Sequence, residues 1–241
     1  MRTSNPTLRS NTFLTERAAP GAAAMTIRGT IARTAILLLL AASTAGFTWQ
    51  SARTGMGAGL AIGGAIGGFV IVLILCFKHS WAPVLAPLYA LLEGLFLGAV
   101  SAIFESAYNG IVLQAIALTF GTLCALLGAY VTGIIRATEN FKLGVFAATG
   151  GIALVYLVSL GLGLFGINIP LIHESGPVGI AFSVFVVIIA ALNLVLDFDF
   201  IENGEAAGAP RYMEWYAAFG LMVTLVWLYI EFLRLLSKLR R

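Results

Sequence analysis

Charge is what this sequence has least of. Of its 241 residues only 10% are charged, while 60% are hydrophobic. A soluble domain carries roughly 25% charged residues, so most of this surface must meet something as apolar as lipid. Histidine and cysteine are scarce as well, with two of each. His79 and His173 stand alone at the ends of apolar runs, which argues against a histidine metal site. Cys76 and Cys124 sit in apolar runs without a CxxC neighbour and read as small hydrophobes, not as a disulfide or a metal pair. The net charge of +3 is small, and no nucleic-acid partner is expected. No Ser/His/Asp arrangement or metal-ligand spacing is present, so an enzyme is not expected, nor any cofactor. Retinal binding is not expected, because Lys238, the only lysine of the last apolar run, lies at its end.

What the sequence does have is long apolar runs. Seven follow one another: Thr34–Trp49, Gly57–Phe77, Pro83–Phe104, Ile111–Ile134, Leu143–Phe165, Val178–Phe198 and Tyr212–Leu236. A membrane-crossing helix needs about 20 mainly apolar residues, so seven take roughly 140–160. Polar or helix-breaking stretches separate them, at Gln50–Gly55, Lys78–Ala82, Glu105–Gly110, Arg136–Lys142, Gly166–Pro177 and Asp199–Arg211. Backbone polar groups cannot stay open in lipid, so the runs must be helices. A β-barrel would alternate apolar and polar residues, and these runs are apolar on every face. The expectation is an all-α membrane protein of about seven transmembrane helices.

Residues 1–27 are rich in Ser, Thr, Asn, Pro and Ala and read as a disordered tail. The tail does not read as a typical signal peptide, because the first apolar run starts late and is long enough to span. Residues 28–241 then form a single seven-helix domain. Arg2, Arg9, Arg17, Arg28 and Arg33 favour a cytoplasmic N-terminus, with Lys78, Arg136, Lys142 and Arg211 on the same side. Arg234, Lys238, Arg240 and Arg241 fall outside if the last run crosses fully, and the alternative is that it does not.

Ionisable residues inside the apolar runs are the candidates for function, because they are costly in lipid and usually face a bundle interior or water. Glu93 lies near the middle of the third run, either as a cation or proton-path carboxylate or as a neutral, hydrogen-bonded structural one. Glu105, at that run's end, reads as solvated. Asp197 and Asp199 close the sixth run, with Asn193 one turn before Asp197. Glu231 sits deep in the seventh, with Arg234 three residues on as a possible salt-bridge partner. Two carboxylates facing each other across helices would share a proton and titrate as a unit. Deprotonated, they would attract a hard cation such as calcium, which prefers oxygen ligands. In the second run Gly59, Gly63 and Gly67 repeat at four-residue spacing, as do Gly64 and Gly68. This is helix-packing chemistry; a phosphate-binding loop would need a preceding strand.

These motifs resemble the Bax inhibitor-1 family, also called the transmembrane Bax-inhibitor-motif family. The resemblance rests on Leu196–Asp197–Phe198–Asp199–Phe200–Ile201–Glu202, on Leu228–Tyr229–Ile230–Glu231–Phe232–Leu233 and on Glu93–Gly94–Leu95–Phe96–Leu97–Gly98. It covers nearly the whole chain. With the Ser-Asn-Pro of the tail and an arginine excess over lysine of 11 to 3, the pattern looks most like an actinobacterial-type branch, hence a bacterial plasma membrane. The resemblance implies six helices around a central C-terminal one, and a pH-sensitive calcium leak gated by paired acids. By position Asp197 matches the first acid and Glu231 the second, so these two are the expected calcium ligands, with Asp199 and Glu93 in support.

The second acid is glutamate where the family has aspartate, and the connection between the acids is longer. If it turns near Ala209, Glu231 lies about 33 Å away along its helix and Asp197 about 18 Å. Contact would need helix breaks, for which Asn203, Gly204, Gly208 and Pro210 are suited. Without contact, Glu214 becomes a candidate partner for Asp197 or Asp199. The expected partners are the lipid bilayer and calcium or protons. The alternative is a regulatory membrane protein that binds a membrane protease or another stress-response partner, with the tail around Arg9 and Arg17 as its docking segment.

Overall fold

The computed structural model describes residues 23–51, 57–165 and 176–240. Among them seven helices are long and apolar enough to cross a membrane. They are α1 (Ile27–Ser51), α2 (Gly57–Phe77), α3 (Ala82–Ala107), α4 (Ile111–Val131), α5 (Glu139–Leu164), α6 (Pro177–Ala206) and α7 (Met213–Leu239). A 3-10 turn, His79–Trp81, joins α2 to α3. The described residues contain no strand, only an isolated bridge between Ala24 and Pro210.

Two boundaries differ from the apolar-run reading. α1 starts at Ile27, a full two turns before Thr34. The intervening Arg28 and Arg33 are helical, and Arg33 has a carboxylate partner that apolar periodicity does not reveal. α6 does not stop at Phe198; it runs on to Ala206 and takes in Asp199, Asn203 and Gly204. Charged residues end an apolar run without ending a helix. The true break is the turn at 207–212, where Gly208 takes φ 65°, a left-handed conformation suited to glycine.

The helices group into two compact units. The first comprises the described part of Met1–Ala102 with Asp199–Met222, the second Ile103–Phe198 with Val223–Arg241. α3, α6 and α7 each continue from one unit into the other. α7 is the most buried helix: 61% of its most apolar stretch is buried, against 44% for α6 and less elsewhere.

In the first unit α3 packs on α1 through Gly94 and Gly98. A Cβ on Gly94 would collide with Thr44 and the Ala41 backbone, and one on Gly98 with the Ala45 backbone. The Thr44 hydroxyl donates to the Leu91 carbonyl at 2.9 Å in the same crossing. On α2 the packing glycines are Gly64, Gly67 and Gly68, which face Leu92, Leu95, Glu93 and Tyr89 of α3. Gly59 and Gly63 have no described neighbour within 4 Å of a Cβ. Of the expected stripe Gly59, Gly63 and Gly67, only Gly67 packs; four-residue spacing marks a face without saying what covers it.

The start of α1, the α2–α3 link and the α6–α7 turn lie at one end of the first unit. The Met25 N–H donates to Ala209 O at 2.7 Å, and the His79 ring packs tilted against Tyr216 with ring centroids 4.6 Å apart. In the second unit the α3–α4 turn, the start of α6 and the end of α7 share an end. Arg240 donates to Asn109 O at 2.8 Å, and Lys238 to Gly179 O and Ser183 Oγ at 3.0 and 2.8 Å. In the first unit α7 starts beside the first turn of α1, and in the second it finishes beside the first turn of α6. Of the tail expected over residues 1–27, residues 1–22 lie outside the described residues. Its last part is fixed: Met25 is buried and bonded to the α6–α7 turn.

Candidate functional site

The second unit holds both acids of the expected pair, and it does not pair them. α6 and α7 are antiparallel about a short turn, so residues equally far from the turn face each other. Asp197 therefore lies level with Thr224, whose hydroxyl hydrogen-bonds its carboxylate. Its other oxygen, Oδ2, is buried without a hydrogen-bond partner. Glu231 is seven residues further along α7, about 10 Å or two turns away. The breaks that would bring the acids together are absent, because Asn203 and Gly204 lie within α6.

Glu231 has its own partners. Only 1% of it is exposed. The Tyr156 hydroxyl of α5 lies 3.0 and 3.1 Å from its two carboxylate oxygens. Arg234, one turn on, reaches Oε1 at 2.9 Å, and its guanidinium sits 5.2 Å from the centre of the Tyr156 ring. Tyr156 thus holds both members of the ion pair. Tyr156 and Trp227 pack on an apolar cluster of Ile152, Val186 and Ile189. The helical spacing of Glu231 and Arg234 is readable from sequence. Tyr156 and Thr224 are not, because their partners lie on other helices. A hydroxyl within an apolar run is the only signal they leave.

In the first unit Glu93 is half-buried and accepts a hydrogen bond from Tyr89 on the previous turn of α3. A Cβ on Gly68 would lie 3.1 Å from its Oε2, so this glycine makes room for the carboxylate. Asp199 also belongs to this unit, on the stretch of α6 beyond the apolar run.

Glu214 is not the partner of Asp197 or Asp199. It is engaged by the start of α1: the Thr26 N–H and hydroxyl donate to its Oε1 at 3.0 and 2.9 Å, and Arg33 Nη1 lies 2.7 Å from its Oε2. The carboxylate fills the space a side chain on Gly29 would need. Arg33 also lies 5.4 Å from the Trp215 ring centre. Next to it the Ile27 N–H donates to Glu205 Oε1 at 2.9 Å. Glu105 is likewise more than a solvated helix end. Its oxygens accept from the Gly110 and Val112 N–H groups at 2.6 and 3.1 Å and so cap α4.

Among the described residues no three His, Cys, Asp or Glu side chains gather into a metal-holding group. Asp197 and Glu231 cannot share one calcium ion as placed, since calcium takes 6–8 oxygens at 2.3–2.6 Å. Cys76 and Cys124 are free and exposed.

Seven apolar helices with acids buried inside them define an integral membrane protein of the polytopic α-helical class. Residues 5–241 match the family described as Bax inhibitor 1 like. The chain belongs to that family. No curated protein and no solved structure matches it.

Proposed function

We propose that the protein is a passive, pH-regulated cation conduit, most suited to calcium, with no catalytic step. The observation that carries this reading is Asp197: its carboxylate lies at the end of an apolar span, with one buried oxygen left without a partner. A buried polar atom without a partner is costly, and a cation or a proton would satisfy it. Glu231, faced by Tyr156 and Arg234, is the second acid. The arginine distribution favours a cytoplasmic N-terminus, hence an α6–α7 turn on the cytoplasmic side of a plasma membrane. The test is calcium entry into liposomes holding the purified protein across a pH series. Flux above that of empty liposomes is expected, with its pH dependence weakened in Asp197→Asn or Glu231→Gln. Full pH dependence in both variants would refute the acids as the switch.

A second reading has its own observation. The chain leaves the described residues at the α6–α7 turn, where Met25 and Thr26 are bonded. A regulatory partner, such as a membrane protease, that held residues 1–22 would pull directly on that turn. Deleting those residues would abolish such binding and leave ion flux unchanged.

A further inference from the structure

We propose that Asp197 and Glu231 are two separate carboxylate stations for a hard cation, divided by a dry apolar layer at Leu194 and Leu228 that acts as the gate. This rests on the conduit reading above. Two contacts fix the register of α6 on α7: Asp197 with Thr224 and Ser183 with Lys238. The interval is fourteen residues on each helix, so the two run past each other without slipping. Glu231, midway between Thr224 and Lys238, therefore lies level with Ala190, midway between Asp197 and Ser183. Ala190 is fully buried and has no side-chain oxygen to offer. The α6 wall opposite Glu231 contributes no ligand, and the first acid lies two turns away.

Two turns return to the same face of a helix, so Thr224 and Glu231 point the same way along α7. Trp227 and Leu228 lie between them at i+3 and i+4 from Thr224, on that face. Leu228 is fully buried, as is Leu194 on the corresponding stretch of α6. Trp227 packs on Ile152, Val186 and Ile189. Between Ala190 and Leu196 the only polar side chain is Asn193, and both donors of its amide are used, one by Thr149 Oγ1 at 2.9 Å and one by Ile189 O at 2.8 Å. The amide oxygen of Asn193 is then the one side-chain oxygen of that α6 stretch, far short of the roughly 6–8 that a calcium ion takes. Hydrophobic constrictions of this kind gate by excluding water.

The stations differ in kind. Asp197 has a hydroxyl neighbour and an open oxygen. Glu231 already holds a cation of the protein's own, Arg234, which is 46% exposed and is steadied over the Tyr156 ring. An ion reaching the second station must displace that guanidinium, so Arg234 competes with the permeant cation there.

The test uses the full chain in liposomes, with Cys76 and Cys124 replaced by alanine. Asp197→Cys with Thr224→Cys is expected to form a disulfide on oxidation, and Asp197→Cys with Glu231→Cys to form none. A disulfide in the second pair would overturn the separation. In the native background Leu228→Ala, and to a lesser degree Leu228→Val, are expected to raise calcium entry severalfold. If the unaltered protein conducts and both folded variants conduct no faster, the apolar layer is not the gate. No flux from any of the three would sink the conduit reading and the gate with it, while the disulfide pattern would still decide whether the stations are separate.

Discussion

Glu214 shows how one residue's environment is set by partners far along the chain. Its carboxylate is 2% exposed and meets a guanidinium, a hydroxyl and a backbone N–H from the start of α1. Removing one partner of a buried ion pair leaves a charge uncompensated and costs about 3–5 kcal/mol. Arg33→Ala should therefore lower the unfolding temperature in detergent markedly. Arg211→Ala should leave it nearly unchanged, because Arg211 is 67% exposed and 3.9 Å from the same carboxylate, a geometry worth about 0–1 kcal/mol. Equal shifts in the two variants would refute this ranking. Tyr156→Phe removes a hydroxyl that contacts both oxygens of Glu231. Losing a hydrogen bond to a charged group costs about 1.5–3 kcal/mol, so this variant should also melt earlier, and a native melting curve would show the hydroxyl to be idle. At this scale the sequence is legible only over short range. The Glu231–Arg234 pair follows from helical spacing, and the acids stand out against their apolar context. The Arg33–Glu214 and Tyr156–Glu231 contacts join residues on different helices, which no periodicity links.

Among the helices, the seven elements and most of their boundaries were legible, because lipid forces apolar length and internal hydrogen bonding together. The missed boundaries lie where charge enters a helix with a partner, as at Arg33, or beyond the apolar layer, as after Phe198. Glycine spacing had a different limit. Gly59 and Gly63 repeat at the same interval as Gly94 and Gly98, yet only the latter pair meets another helix in the described structure. Gly94→Leu and Gly98→Leu should break the crossing of α1 and α3 and abolish folded yield. Gly59→Leu and Gly63→Leu should be tolerated. Size-exclusion profiles of the four variants check this, and four equal profiles would refute it.

For the molecule as a whole, the number of crossings has a consequence for sidedness. α1 begins beside the α6–α7 turn, and α7 ends beside the start of α6. A membrane-impermeant thiol reagent should label Ala207→Cys and Leu239→Cys from opposite sides once Cys76 and Cys124 are replaced. Labelling from one side would mean that α7 does not cross. The meeting of Asp197 with Glu231, expected from family resemblance, failed for a reason the chain itself contains. A short turn at 207–212 leaves the two acids at unequal distances, and α6 stays helical through the residues that might have made up the difference.

The seating of Glu214 on the first helix also has a history during synthesis. Thr26 and its carboxylate partner are 188 positions apart. At 5–20 residues per second a ribosome needs roughly 10–40 s to cover that interval. Through that time α1 is already made while Arg33 has no counter-charge and the hollow beside Gly29 is empty. A chain cut short anywhere before Glu214 leaves Arg33 without that carboxylate. Synthesis of the first turn of α7 supplies it.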